Sequence, residues 1–485
     1  MGSADRRIEP ALRERTLVIA IVICAALVRL MGLFHHATMP DEAFTFFIAS
    51  HPLPAIVALL KTGDFHPPLI YLIGHGLFQL STRAYLFRIV SALFGIAGVV
   101  ATYALARRAI SRFAPLASFL VAVNPALVFF DGFFRMYALL WSLCMISWAL
   151  LLWALDDPRR PLRWVAYGVC LTALLYTHYL AFFTVAAQVA YVLIFYGRSK
   201  GFWIAAAAAC VAFLPWLPVL MIQYPLGGTA YNAVHGHWSQ MLQAAPVLLV
   251  DGLPPTLELS AILSAVLWLA ILAGLGLALI ERRWLILALA APLLMQIGYS
   301  LWSGKLLLGQ RYLLQAIPVL VFLIILVAQR LLQTRARPLA VALLAGLAVM
   351  MTAGTIDKHF LAQYMPVDWT EYRRFLDAKI QPNDAVVLDS SMVYYVLIGS
   401  KAANARPLFL VSNAEDAAAY AAQAARAPRV WYVDYQSELP DPQHDGFTIL
   451  ARAHPKHVTW RSTQSGYGDV VLTTLFLPPE GKRGP

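Results

Sequence analysis

Charge is what this sequence has least of. Of its 485 residues only 13% are Asp, Glu, Lys or Arg, while 60% are apolar. A soluble domain usually carries about a quarter charged residues. The deficit is uneven. Long apolar runs recur from Thr16 to Gly354, and after Thr355 the composition becomes that of an ordinary soluble domain. Cysteine is also scarce: Cys24, Cys144, Cys170 and Cys210 all sit inside apolar runs with no CxxC pair. That excludes the usual zinc-ligand spacing and reads as small core residues. No GxGxxG or Walker pattern appears, and no basic stripe interleaves with aromatics. The net charge of +11 therefore does not indicate nucleic acid.

The apolar runs are each long enough to approach the ~20 residues that cross a bilayer core. Eleven spans are expected: Thr16–Phe34, Ala84–Ala106, Phe113–Phe130, Phe134–Leu155, Trp164–Thr177, Leu180–Tyr196, Phe202–Met221, Leu257–Ile280, Trp284–Trp302, Tyr312–Ala328 and Pro338–Gly354. The first follows Arg6, Arg7, Arg13 and Arg15 like a signal peptide, but it exceeds the usual h-region and lacks a cleavage site, so it reads as an uncleaved helix. One set of alternate loops holds Arg107, Arg108 and Arg112; Arg159, Arg160 and Arg163; Arg198 and Lys200; Arg282 and Arg283; Arg330, Arg335 and Arg337. The other set is nearly free of Lys and Arg. The positive-inside rule puts the basic set and the N-terminus in the cytoplasm, and the C-terminus in the periplasm of a bacterial inner membrane. His66–Leu80 is too short to span, and counting it would move the arginines outside. It and Ala43–Leu60, broken by Pro52 and Pro54, are expected to lie along the outer interface in the first periplasmic loop, 35–83.

The expected architecture is thus a polytopic α-helical membrane module, 1–355, followed by a small α/β periplasmic domain, 356–485. In the latter, Trp369–Lys379 and Ala414–Ala425 read as helices; Ala385–Leu388, Val430–Val433 and Val470–Leu477 read as strands. Cytoplasmic loops of roughly 2–8 residues leave no room for the ~30-residue βαβ unit a nucleotide needs. A transferase of this design would have to take its donor from the membrane.

The polar groups that stand out lie at outer helix ends. Asp41 and Glu42 open the first interfacial helix, where a helix cap and first-turn acid would also explain them. Asp64, His66, Pro67 and Pro68 open the second, with the same capping alternative. Asp131 and Arg135 sit between two spans, where they would pair or line a cavity. His178 lies at another boundary, Arg88 a turn inside its span, and Lys305, Arg311 and Tyr312 at the outer end of a late span, where snorkelling is the plain alternative. Together they suit one reaction. A hydroxyl attacking the anomeric carbon of a lipid-phosphate sugar needs a carboxylate to take its proton. The departing phosphate needs cations in a site with little water.

At these residues the sequence resembles the GT-C glycosyltransferases, in particular the bacterial relatives of protein O-mannosyltransferases, the lipid A aminoarabinose transferase and the rhizobial core-oligosaccharide enzymes. The matching pieces are Asp41-Glu42, His66-Pro67-Pro68-Leu69-Ile70-Tyr71, Arg88 within Phe87–Gly95, Arg135-Met136-Tyr137-Ala138-Leu139, Thr177-His178-Tyr179 and Arg311-Tyr312-Leu313-Leu314, in family order. The resemblance implies an inverting transfer from a polyprenyl-phosphate-linked sugar to an extracytoplasmic glycan, lipid or protein. Asp41 would be the catalytic base with Glu42 beside it, and Asp131 the second acidic position. His66, Arg88, Arg135, Tyr137, Arg311 and Tyr312 would face the donor phosphate, with Asp64, His178 and Lys305 completing the pocket. Relatives often read Glu-Ala-Arg before Met-Tyr; here Phe133-Phe134-Arg135 stands instead and the acid comes earlier. No cofactor is required, and a divalent cation is compatible. A transporter or lipid flippase is the competing reading, expecting paired repeats and acids at midspan; a scaffold using its outer domain for assembly is another.

Overall fold

The computed structural model describes residues 5–31, 33, 38–197, 199–226, 248–251, 261–304, 307, 309–360, 369–411, 413–435, 441, 443–462 and 471–478. Lys305 lies outside them. The chain forms two compact units: 1–34, 49–227 and 237–360 make the first; 35–48, 228–236 and 361–485 make the second.

The first unit is a helix bundle. Its helices are α1 (Asp5–Met31), the end of α2 (Pro40–Ala49), α3 (Leu53–Gly63), α4 (Leu69–Phe78), α5 (Ala84–Ala109), α6 (Ala114–Ala122), α7 (Pro125–Asp131), α8 (Met136–Asp156), α9 (Pro161–Leu175), α10 (Ala181–Tyr196), α11 (Lys200–Phe213), α12 (Leu217–Leu226), α13 (Ala261–Ile280), α14 (Trp284–Ser303), α15 (Ile317–Leu331) and α16 (Arg337–Phe360). Among the described residues seven helices are long and apolar enough to cross a membrane, or eight if Ser111–Ala122 and Pro125–Asp131, bent by 55°, form one span. The chain is a multi-pass membrane protein. The described parts of the eleven expected runs are largely helical, and seven or eight of the described helices meet the length and hydropathy of a span, against the eleven expected. α9 and α10, with 15 and 16 residues, reach only about 22–24 Å at 1.5 Å per residue, less than the hydrocarbon core. α1 carries Glu14 and Arg15 in its first half and Arg29 in its last turn. The interfacial stretch expected over Ala43–Leu60 is two helices, because Pro52 stops one and caps the next.

Side-chain size sets the bundle's close approaches. Most of α8 and α15 is buried, while Leu17, Ile23, Val169, Ile204, Ile262 and Trp302 point outward from other helices, a surface water would not tolerate and lipid would. Any Cβ at Gly98 would overlap the Trp141 ring, and one at Gly274 the Leu323 backbone. At one end of the bundle the arginines find the few acids: Arg107 with Glu14 at 2.8 Å, Arg108 with Asp156, and Arg283 and Arg330 with Glu281. Gln329 ties the end of α15 to the carbonyl of Ile110 at the end of α5. The opposite end of α8, at Arg135, carries the groups described below.

The second unit contains α17 (Trp369–Lys379), α18 (Ser391–Leu397), α19 (Ala414–Ala424), α20 (Asp445–Ala453) and five strands: β1 (Ala385–Leu388), β2 (Leu408–Leu410), β3 (Val430–Asp434), β4 (His457–Ser462) and β5 (Val471–Phe476). They form one sheet in the order β2-β1-β3-β5-β4. β1 is parallel to β2 and β3, with Val386 opposite Trp431, and β5 runs antiparallel to β3 and β4. Alternation divides the buried side chains between the faces. Val386, Leu388, Trp431 and Val433 join Trp369 and Leu376 on one. Val387, Val430 and Tyr432 join Ala417, Ala421 and Leu450 on the other. Helix α2, up to Ile48, belongs here: Phe44 and Phe47 pack on the Tyr395 ring at 4.8 and 5.1 Å.

Two outcomes test this packing. Gly95→Ala would drive a methyl into the Asp131 carboxylate and the Arg29 guanidinium. It should cost about 1–3 kcal/mol, read as a lower thermal midpoint in detergent; an unchanged midpoint refutes the close approach. In the second unit Asp389 is buried, and burial pushes its carboxyl from 3.8 up to about 8, the Tyr432 hydroxyl opposing and Asp441 and Asp434 adding to it. The folded form therefore holds a proton that the unfolded chain releases near pH 4. Stability falls as pH rises through that window. Melting of this unit, followed by near-ultraviolet circular dichroism of its tryptophans, should come at lower temperature at pH 8 than at pH 5. Asp389→Asn should flatten the dependence.

Candidate active site

A turn between α3 and α4 carries the centre of the site. Asp64 caps α3 in extended backbone, and Pro67 and Pro68 lead into α4. Asp64 and His66 are therefore presented from a short, stiff segment. Asp64 Oδ1 accepts from its neighbour's amide, Phe65 N, at 2.7 Å and meets His66 Nδ1 at 2.7 Å. Its Oδ2 accepts from the Tyr71 hydroxyl, one turn into α4. Arg135, at the N-cap of α8, donates to the same Tyr71 hydroxyl at 3.0 Å and lies 3.8 Å from Asp64 Oδ2. All four side chains are buried. Burial alone would raise the Asp64 carboxyl, but His66, Arg135 and the Phe65 amide outweigh it and hold it below the ordinary value. Asp64 is thus the anionic post on which the basic groups are hung.

His178 comes from the turn between α9 and α10. Its ring stands edge-on to His66 at 4.9 Å and 6.0 Å from the Tyr312 ring. The Leu180 amide donates to His178 Nδ1 at 3.1 Å, so that nitrogen is the acceptor and Nε2 carries the hydrogen. Nε2 is buried with no hydrogen-bond partner among the described residues. Burial lowers the His178 value well below its usual one; His66, Arg135 and Arg311 push the same way, against Asp64. A neutral imidazole with an unanswered N–H sits between three basic groups.

The segment 309–316 approaches from the other side. Its two short 3-10 turns carry Arg311, whose guanidinium lies over the Tyr312 ring at 5.2 Å. Gln296 and Gln315 both donate to the Tyr312 carbonyl, at 3.1 and 2.8 Å, and Gln315 also donates to Gln296 Oε1 at 3.1 Å. Below the turn, Gln223 donates to the carbonyls of Leu60 and Asp64 at 2.5 and 2.9 Å, and its own Oε1 accepts from Tyr179.

The structure therefore brings Asp64, His66, Arg135, His178, Arg311 and Tyr312 together. It places other expected residues elsewhere. Asp131 does not pair with Arg135, as one reading of the sequence had it. Its Oδ2 takes Arg29 Nε at 2.8 Å and its Oδ1 takes the Trp141 indole N–H at 2.8 Å, all fully buried. Both Asp131 oxygens are occupied inside the bundle. Arg88 donates to the Leu33 carbonyl at 3.2 Å and lies over Phe133 at 5.9 Å, turned to the end of α1. Tyr137 is buried against Phe130 at 5.5 Å. Asp41 and Glu42 form the first turn of α2 in the second unit, Asp41 half-buried and Glu42 fully buried. Among the described residues no three His, Cys, Asp or Glu converge on a metal-sized site.

Sequence reasoning missed Arg29, Gln223, Gln296 and Gln315. Arg29 had a signal: an ionisable residue within an apolar run is functional or paired by default. The glutamines had none: Gln223 serves carbonyls far away in the chain, and Gln296 and Gln315 serve a turn that no sequence motif marks.

No family model matches the chain, and no curated protein matches it. Solved structures do. ArnT from Cupriavidus metallidurans in the apo state aligns over 95% of this chain and 98% of its own, at 14% identity and TM-score 0.52. The Archaeoglobus fulgidus oligosaccharyltransferase tethered with an acceptor peptide aligns over 90% and 70%, at 12% identity and TM-score 0.54. The same archaeal enzyme, AglB, in complex with an inhibitory peptide and a dolichol-phosphate, aligns over 93% and 74%, at 11% identity and TM-score 0.52. The chain shares the fold of ArnT and of the archaeal oligosaccharyltransferase.

Asp64→Ala tests the arrangement in this fold. It leaves Arg135 and the Tyr71 hydroxyl without their buried acceptor and should cost about 3 kcal/mol or more, seen as a drop in thermal midpoint in detergent. Wild-type stability would mean that Asp64 does not hold the cluster.

Proposed function

We propose that the chain is an inverting glycosyltransferase that moves a sugar from a polyprenyl-phosphate donor to an extracytoplasmic acceptor, in the inner membrane of a bacterium. The observation that carries this is the basic cluster itself. Arg135 and His66 hold to one carboxylate, Asp64, and beside them stand His178, with its unanswered Nε2–H, and Arg311, whose charge acts on that histidine. Such a set suits an anion with several acceptor oxygens, and the phosphodiester that links a lipid carrier to its sugar becomes such an anion, a monoester with one more charge, as the sugar leaves. The AglB structure that shares the fold holds a dolichol-phosphate, which supports the same class of carrier here.

Orientation follows from the charge at the two ends of α8. The arginine-rich end, at Arg108 and Asp156, is assigned to the cytoplasm by the positive-inside rule. The end at Arg135 is then assigned to the periplasm. In this reading Asp41 takes the proton of the attacking hydroxyl, and the electron pair of the breaking glycosidic bond passes to the lipid phosphate. The cations around His178 stabilise that phosphate as its charge gathers. Because α2 is packed on Tyr395 through Phe44 and Phe47, Asp41 is held with the C-terminal fold, which supports assigning acceptor contact to that unit. Asp131, saturated by Arg29 and Trp141, is assigned a structural role instead of proton transfer.

Asp41→Asn should lower sugar transfer in membrane vesicles by about 10²-fold or more with insertion unchanged; full activity refutes the base. Arg311→Ala should raise the donor KM by about tenfold, the scale of a lost charged contact, and an unchanged KM removes it from the phosphate site. Mass spectrometry of surface glycans from a deletion strain identifies the sugar and acceptor; unchanged glycans favour a transporter.

A further inference from the structure

Arg311 and Tyr312 stand on a segment with little regular structure, so something must hold it. One side is the glutamine pair already described. The other is a buried ion pair. Lys358, in the last turn of α16, pairs with Asp251, and both are buried. The Lys358 ammonium also lies over the Phe129 ring at 4.2 Å. Asp251 Oδ2 accepts a second hydrogen bond from Gln310 Nε2 at 2.5 Å, and Gln310 immediately precedes Arg311.

The pair is itself clamped. Asn124, the N-cap of α7, donates to the carbonyls of Leu248 and Leu249 at 2.9 and 3.4 Å, just ahead of Asp251. One turn before Lys358, the Thr355 hydroxyl donates to the Val123 carbonyl at 2.7 Å. Gly354 lets α16 approach the Asp251 backbone, where any Cβ would overlap the carbonyl. A charged pair in such surroundings needs tight geometry and full hydrogen bonding to offset its desolvation. Here those requirements fix the position of one oxygen, the Gln310 acceptor.

We infer that Lys358 and Asp251 are positioning residues for the anion site: Lys358 is the fixed counter-ion of Asp251, and Asp251 through Gln310 sets where Arg311 and Tyr312 stand. The inference rests on the donor reading above only for its consequence, the affinity for a lipid phosphate; the tie itself is a property of the bundle.

The test uses the full chain in lipid nanodiscs and two double variants that each remove both buried charges. Asp251→Leu with Lys358→Met deletes the acceptor of Gln310. Asp251→Asn with Lys358→Met keeps an amide oxygen for it. Deuterium uptake of the 309–316 peptide should rise about tenfold in the first variant, the scale of one hydrogen bond, and stay within about twofold of wild type in the second. Affinity for undecaprenyl phosphate should fall about tenfold in the first and be retained in the second, while both melt near the wild-type temperature. A role in stability alone would instead move the two variants together. Unchanged uptake in the leucine variant overturns the tie. Raised uptake with unchanged affinity overturns its role in the anion site. If the wild type binds no undecaprenyl phosphate, the donor reading fails while the uptake difference still supports the tie.

Discussion

An apolar bundle can hold a charge only where it supplies the opposite charge and enough hydrogen bonds to replace water. The first unit of this protein is organised around that constraint. Among the described residues it buries three ionic centres: Arg29 with Asp131, Lys358 with Asp251, and Asp64 with His66 and Arg135. In the first two, one anion meets one cation: the Trp141 indole takes the other oxygen of Asp131, and Gln310 shares Asp251 Oδ2 with Lys358. In the third, His66 and Arg135 meet one carboxylate, and His178 beside them keeps an N–H without an acceptor among the described residues. The first two brace the bundle; the third lies at the candidate site.

Elsewhere small residues and amides serve the same economy. Gly95 gives the Arg29–Asp131 pair its room, and Gly354 does so for Asp251. Gln223, Gln296 and Gln315 satisfy carbonyls in turns that have no regular ladder to bond to. The turns at 64–68 and 309–316 are tolerable within an apolar surrounding because those amides reach their carbonyls. Function follows from this: the segments that carry Asp64, His66, Arg311 and Tyr312 are irregular in conformation yet fixed in place.

Much of the site was legible in the residues. His66-Pro67-Pro68, Arg135-Met136-Tyr137, Thr177-His178-Tyr179 and Arg311-Tyr312 carry the pattern, and five of those residues, His66, Arg135, His178, Arg311 and Tyr312, meet with Asp64 in one cluster. Asp131 shows the opposite case. Four residues from Arg135, it looked like that arginine's partner, but the bend at α7 turns it inward to Arg29, 102 positions away. Arg88 likewise reads as a phosphate ligand in a motif and is turned to the Leu33 carbonyl.

Composition and hydrophobic run length, by themselves, determined that this chain lies in a membrane as a helical bundle and that its polar groups gather at helix ends, because those follow from transfer free energies that act residue by residue. After residue 369, α17, α19, β1, β3 and β5 were likewise written in local pattern, whereas α18, α20, β2 and β4 were not. Which acid meets which base and which histidine nitrogen is left unanswered were decided only by the tertiary structure. Each depends on distances between segments tens to hundreds of residues apart, and local periodicity carries no information about those.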